Sequence, residues 1–321
     1  MANIDGVEGA APVCYRHPDR ESYVRCGRCG RYICPDDMVS ASVGFQCHEC
    51  VRAGNKGVRT PRTVTGGVRR TDDGVITMAI IAINVVVFLA VQGSDRLLER
   101  LLLTAYSGDG HGLAQGGWYR LISATFLHQQ TFHIALNMIV LWMFGRPLEA
   151  QLGRVRYIAT YLICGLGGSC ASYLFNPPGT ASLGASGAVF GLIGVLVVVE
   201  RRFGSNPAPV LVYLAILLVP GIVISNVDWR AHVGGLLVGF ALGAIYAYAP
   251  RANRTFWHAG LCVVLTVGLL VAVGVRTHRI KEQLAERFGT GLQFELVVHN
   301  GDNPCGELQR CNSVSADSVD G

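Results

Sequence analysis

Charge is what this sequence has least of. Only 15% of its 321 residues are charged, half are hydrophobic, and the mean hydropathy is +0.37. That balance does not suit a solvated surface and does suit helices packed in lipid. Lysine is nearly missing, with Lys56 and Lys281 alone, so the positive charge is arginine. The net charge of +5 gives no argument for a nucleic-acid partner, because the arginines flank apolar runs. No cleavable signal segment is expected either: the first 74 residues are polar, and the first long apolar run starts at Val75. Midspan charges and internal repeats, which a small-molecule transporter would use, are not evident.

Apolar runs near twenty residues recur instead, the length a helix needs to cross roughly 30 Å of hydrocarbon. Seven spans are predicted, near 75–92, 132–148, 157–175, 186–200, 208–225, 231–249 and 256–275. Forty glycines fit closely packed membrane helices. The fold class is therefore an all-α polytopic membrane protein with a small metal-binding domain before it. Residues 1–13 are an N-terminal tail, 14–50 a Cys/His-rich module, 51–73 a mobile Arg/Gly/Thr linker, 74–275 the membrane domain and 276–321 a polar tail. Arginines crowd before the first span and after the second, fourth and sixth, which predicts a cytoplasmic N-terminus and an extracytoplasmic C-terminus in the cell membrane.

In that topology the even-numbered spans run in one direction, so their first residues share a depth. The second opens with His133 and Asn137, the fourth with Ser186 and the sixth with His232. Polar groups in spans are costly and usually functional. A serine hydroxyl becomes a nucleophile when a neutral imidazole takes its proton, which pairs Ser186 with His232. The His133 imidazole, the Asn137 amide and the Ser186 backbone N–H are candidate donors to a developing oxyanion. No Asp or Glu lies inside these spans nearby, so a Ser–His dyad is expected rather than a triad. Phe190, one turn below Ser186, is placed to press on the imidazole. Gly235, Gly239 and Gly243 on the sixth span, and Gly187 and Gly191 on the fourth, form stripes that permit close backbone approach. That approach is expected to bring the Ser186 hydroxyl within hydrogen-bond reach of His232. The bland reading of each of these features alone is helix packing. Pro220-Gly221 in the fifth span is read either as a kink opening a lateral gate or as a tolerated kink.

Three stretches, "GWYRLISATFLHQQTFHIALN", "GASG" and "AHVGG…G…G", carry a resemblance to the rhomboid family of intramembrane serine proteases across roughly residues 75 to 250. The resemblance implies a rhomboid-like bundle of six plus one spans that cleaves membrane-anchored proteins in or near their transmembrane helices. It implies Ser186 as nucleophile, His232 as general base, and His133 and Asn137 in the oxyanion hole. It adds Trp118 and Arg120 as an aromatic–Arg signature in the first loop, and His128 as a structural histidine. Phe190 stands where some members carry tyrosine. A non-catalytic, rhomboid-like protein that captures membrane clients is the alternative function.

The module at 14–50 carries Cys14, His17, Cys26, Cys29, Cys34, Asp37, Cys47 and Cys50 as four x2-spaced pairs. In a reducing compartment such pairs favour zinc over disulfides. The spacing resembles the B-box zinc finger. That resemblance implies a cross-brace, with Cys14, His17, Cys34 and Asp37 on one ion and Cys26, Cys29, Cys47 and Cys50 on the other; His48 is a possible substitute for Asp37. One or two structural Zn2+ ions are expected, with no cofactor for catalysis and a cytoplasmic protein as the module's partner. Cys164, Cys170 and Cys262 read as packing residues, and Cys305 and Cys311 as a possible disulfide in the tail.

Overall fold

The computed structural model describes residues 11–56, 63, 65–66, 74–107, 110–223 and 227–288. Cys305 and Cys311 lie outside them, as does the side chain of Pro220. The chain divides into two compact units, residues 1–61 and 62–321.

The first unit has little regular structure. A two-stranded ribbon, β1 (Val39–Ser40) and β2 (Phe45–Gln46), pairs antiparallel with Val39 opposite Gln46. Helix α1 (His48–Asn55) follows, capped by the Cys47 sulfur accepting from the Cys50 N–H. It runs five residues into the stretch assigned to the linker. Apolar burial amounts to Ile33, Cys26 and Cys47, with Tyr15 and Met38 packed beside them. A core this small cannot offset the chain entropy of ordering the module.

The second unit is a helix bundle. Its elements are α2 (Val75–Gln92), α3 (Asp95–Leu101), α4 (Arg120–Ser123), α5 (Thr131–Leu152), α6 (Arg154–Phe175), α7 (Ser186–Phe203), α8 (Ala208–Val223), α9 (Trp229–Tyr248) and α10 (Arg254–Phe288). Four of these, α2, α6, α9 and α10, are long and apolar enough to cross a membrane by length and composition, and α8 is a shorter apolar helix. The chain is a multi-pass, all-α membrane protein.

Helix α7 is the axis of the bundle, buried from Gly187 to Val197. Glycine puts it there. A Cβ on Gly235 of α9 would sit 1.9 Å from the Gly187 carbonyl oxygen, and one on Gly239 would sit 2.1 Å from that of Gly191. On the α6 side, a Cβ on Gly168 would lie 3.0 Å from Gly187 Cα, and one on Gly187 would lie 3.1 Å from Gly168 Cα. Helices α6, α7 and α9 thus pack backbone on backbone, while α2 and α10 keep most of their surface for lipid. The N-terminus of α2 is held by the buried Glu149 of α5, whose carboxylate accepts from Ile76 N at 2.9 Å, Thr77 N at 2.8 Å and Thr77 Oγ1 at 2.8 Å. Those are two of the backbone N–H groups a helix start leaves unpaired.

Two stretches differ from the sequence expectation. Part of the linker is packed: Thr65 is buried, and its hydroxyl donates to the Gln151 carbonyl. The last helix also passes residue 275. Thr277 meets Tyr173 at 2.8 Å and Ile280 is buried among first-loop residues, so packing continues the helix after the apolar run has ended.

Candidate active site and metal centres

The N-terminal ends of α5, α7 and α9 meet at one place. Gly184 shows how closely. It holds φ +129, which a side chain rarely adopts, and a Cβ there would lie 2.9 Å from His133 Cε1 and 3.8 Å from Ser186 Oγ. The first glycine of "GASG" is therefore required on two counts, by its backbone conformation and by the imidazole against it. The second, Gly187, lets α9 approach: a Cβ there would be 3.3 Å from the Ala231 carbonyl oxygen. The neighbours of Ser186 and His232 thus touch.

Ser186 is the first residue of α7 and is half-buried; His232 lies in the first turn of α9 and is buried. Phe190 stacks on the His232 ring with centroids 4.5 Å apart and planes 17° from parallel. That contact fixes the imidazole plane without a hydrogen bond, and His232 Nδ1 has no partner among the described residues. Nor does any hydrogen bond among them join Ser186 to His232. The glycine stripes deliver the close approach, whereas the hydroxyl–imidazole bond expected from it is not formed here. Such bonds commonly tighten only when substrate is bound.

His133 is half-buried, and its ring meets that of His128 edge-on at 5.0 Å. His128 is fully buried and accepts from the Ala185 N–H at 3.5 Å, holding the residue before Ser186. Asn137 is buried, but its Nδ2 donates to the His133 carbonyl at 3.0 Å, within its own helix. In this state the amide points along α5, so an oxyanion role requires it to exchange that partner.

The first loop is organised by Arg120, whose side chain is fully buried. It donates to the carbonyls of Glu99 at 2.7 Å and Leu102 at 2.9 Å, and to Ser107 Oγ at 3.3 Å. Trp118 is 42% exposed and stands near Gly274 of α10. These hydrogen bonds make the Arg120 side chain part of the loop's scaffold. Three polar residues that sequence reasoning misses cluster beside this site: Asn176 and Ser182 both donate to the Asp228 carboxylate. The signal available was Asp228 as an N-cap, one residue before the α9 helix begins.

In the first unit the eight x2-paired residues form two donor sets. Cys26, Cys29, Cys47 and Cys50 make one and Cys14, His17, Cys34 and Asp37 the other; within each set the ligand atoms lie within 4.8 Å of one another. Asp37, rather than His48, stands in the second set. Asp37 Oδ2 is 3.0 Å from His17 Nδ1 and 3.3 Å from Cys14 Sγ, whereas His48 Nε2 lies 3.3 Å from the Asp36 carbonyl. N–H groups aim at the sulfurs: Cys47 N at Cys26 Sγ, 3.2 Å, and Arg31 Nε at Cys29 Sγ, 3.4 Å. Burial pushes the Cys26 thiol up, and backbone N–H groups of Cys47, Cys29 and Arg28 outweigh it, bringing it to about 6. Four sulfur donors gathered in one set fit a soft divalent cation.

Comparison with known proteins identifies the family. Residues 115–249 match the Rhomboid domain family. Rhomboid protease GluP of Bacillus subtilis is 34% identical over 206 residues, covering 60% of this chain and 39% of that protein. RHOMBOID-like protein 5 of Arabidopsis thaliana is 38% identical over 144 residues, 43% of this chain and 47% of the relative. The chain thus spans less than half the length of these two. A second Bacillus subtilis relative, the putative rhomboid protease YdcA, is 31% identical over 160 residues, 48% of this chain and 79% of its own length. With a relative covered over most of its length and the family's segment enclosing all three helix starts, this chain belongs to the rhomboid family.

Proposed function

We propose that the protein is an intramembrane serine endopeptidase that cuts membrane-anchored proteins in or near their transmembrane helices, using Ser186 and His232 as a dyad. The reading rests above all on His232 stacked by Phe190 on the helix beside the one that Ser186 begins. His232 Nε2 takes the Ser186 proton as Oγ attacks the scissile carbonyl carbon. The oxyanion of the tetrahedral intermediate is met by His133 and the Ser186 N–H, with Asn137 joining once it releases the His133 carbonyl. The imidazolium then gives its proton to the leaving amine, the C–N bond breaks, and water enters by the same two steps to free Ser186. His232 lacks a carboxylate on Nδ1, so packing by Phe190 takes over the orienting role that an acid has in a triad. Arginines stand at the opposite ends of α5, α7 and α9, as Arg146, Arg201 and Arg251, which puts the N-terminal ends, where water must reach, on the extracytoplasmic side. The N-terminus is then cytoplasmic. Local unwinding of a substrate helix exposes its peptide bond; whether α8 moves at Pro220-Gly221 to admit it is tested by Ala and Leu at those positions.

The 14–50 module, in this reading, holds two structural Zn2+ ions. With four protein ligands each, neither ion has an open position for catalysis. Zinc supplies the folding energy that its few buried side chains lack, and the module offers a surface to a cytoplasmic protein.

The test is cleavage by purified protein in liposomes of a model transmembrane substrate. Wild type is expected to cut, and Ser186→Ala and His232→Ala are not. Substrate retained but uncut by wild type would move the reading to a client-binding protein, and equal cleavage by Ser186→Ala would end the dyad.

A further inference from the structure

Asp228 precedes His232 by four residues, the spacing that puts a carboxylate and an imidazole on one helix face. A third member of a triad would be looked for here, but the structure directs this carboxylate elsewhere. Oδ2 accepts the Ser182 hydroxyl at 2.7 Å. Oδ1 accepts Asn176 Nδ2 at 3.1 Å and the Ala231 N–H at 3.4 Å, so the same group caps α9. Asn176 is held in turn: its Oδ1 accepts Arg230 Nη1 at 2.8 Å, and its Nδ2 also reaches Ser172 Oγ at 3.1 Å. Asn176, Ser182 and Ser172 are all buried, so each would be left unsatisfied if the cluster opened.

Ser182 has a second tether. Its N–H donates to the Leu103 carbonyl at 2.9 Å, and the Leu103 N–H returns a bond to its carbonyl at 3.0 Å. Two residues on, the Gly184 N–H donates to the Ala124 carbonyl at 2.9 Å. The loop from Asn176 to Ala185, which delivers Ser186, is therefore fastened to the first loop on one side and to Asp228 on the other. Asp228 also caps the first turn of the helix that carries His232. On the dyad reading above, this adds to the helix packing a polar link between nucleophile and base, through one carboxylate hydrogen-bonded to neither.

We propose that Asp228 is a positioning residue, a clamp that locks the Ser186 loop to the His232 helix through Ser182 and Asn176. The test uses the full chain in liposomes, with Asp228→Ala, Asp228→Asn, Ser182→Ala and the double Asp228→Ala/Ser182→Ala. Loss of the three hydrogen bonds that Asp228 accepts is expected to lower kcat about tenfold or more in Asp228→Ala, with KM little changed. Asp228→Asn keeps an acceptor for the cap and a partner for the serine hydroxyl, so it is expected to recover most of that loss with an unshifted pH profile. The double variant is expected to be no worse than Asp228→Ala, since the Ser182–Asp228 bond is already lost in that single variant. An Asp acting on His232 would instead make Asp228→Asn about 10⁴-fold slower, by the wrong tautomer. That result, or multiplying losses in the double variant, overturns the clamp. Hydrogen exchange at the Ser182 and Gly184 amides gives a readout free of catalysis, expected about tenfold faster in Asp228→Ala and, should that variant not fold, faster in Ser182→Ala. Unchanged exchange overturns the clamp even if the wild type cleaves; a wild type that does not cleave, with exchange still accelerated, overturns the protease reading and leaves the clamp standing.

Discussion

Gly235→Ala is the sharpest way to ask whether helix spacing sets the chemistry. The added Cβ would fall 1.9 Å from the Gly187 carbonyl oxygen, 2.6 Å from its carbonyl carbon and 3.0 Å from its Cα. All three are backbone atoms, so no side chain can swing aside. Restoring an ordinary contact of 3.4 Å means parting α7 and α9 by about 1.5 Å. Overpacking of this kind costs on the order of 1–3 kcal/mol of stability. The larger effect is on geometry. Gly235 lies three residues after His232, and Gly187 directly follows Ser186, so the separation falls between base and nucleophile. A displacement near 1 Å at reacting groups costs about a hundredfold in rate. Cleavage in liposomes is therefore expected to drop about 10²-fold, while thermal unfolding in detergent falls only by the overpacking amount. Gly268→Ala is the control: no atom lies within 4 Å of its added Cβ, so it is expected to behave as wild type. Full activity in Gly235→Ala at unchanged stability would refute the reasoning.

Other consequences follow from the same contacts. Phe190→Ala removes the ring stacked at 4.5 Å on His232 and is expected to lower kcat about tenfold, with Phe190→Tyr close to wild type; equal kcat in both would remove the orienting role. Cys26→Ser is expected to lower bound zinc by about one ion per chain and to expose residues 14–50 to limited proteolysis, while cleavage of the membrane substrate continues. For Asp228, burial pushes the carboxyl up, but hydrogen bonds from Ser172, Ser182, Asn176 and the Ala231 N–H outweigh it and hold it below the usual range. A folded value below the unfolded one means its stabilisation is complete above about pH 3.9 and fades as pH falls through the folded value. The melting-temperature gap between wild type and Asp228→Asn should thus be constant near neutrality and shrink below about pH 4; a gap that widens on acidification would contradict it.

Much of the bundle was legible because spans announce themselves by length. The run from Val75 to Gln92 and the start of α7 at Ser186 agree with the sequence to the residue. The glycine stripes were legible too, as a period of four, and the contacts of Gly235 and Gly239 gave them physical content. What stayed hidden was long-range polar pairing. Asn176, Ser182 and Asp228 are ordinary loop residues until a fold brings positions about fifty apart together. Asn137 illustrates the converse: its position puts it on the right face, while its bond to the His133 carbonyl is a rotamer that no spacing encodes. The extension of α10 escaped because hydropathy ends near 275, whereas helix formation continues on tertiary contacts and a His278–Glu282 pair at 3.2 Å.

The central claim is that His232 makes Ser186 a nucleophile without a third residue. Labelling by a serine-reactive phosphonate probe, with the modified residue located by mass spectrometry, asks this most directly. The account predicts adduct on Ser186 in wild type, none in Ser186→Ala and a strongly reduced rate in His232→Ala. Labelling of His232→Ala at the wild-type rate would contradict it.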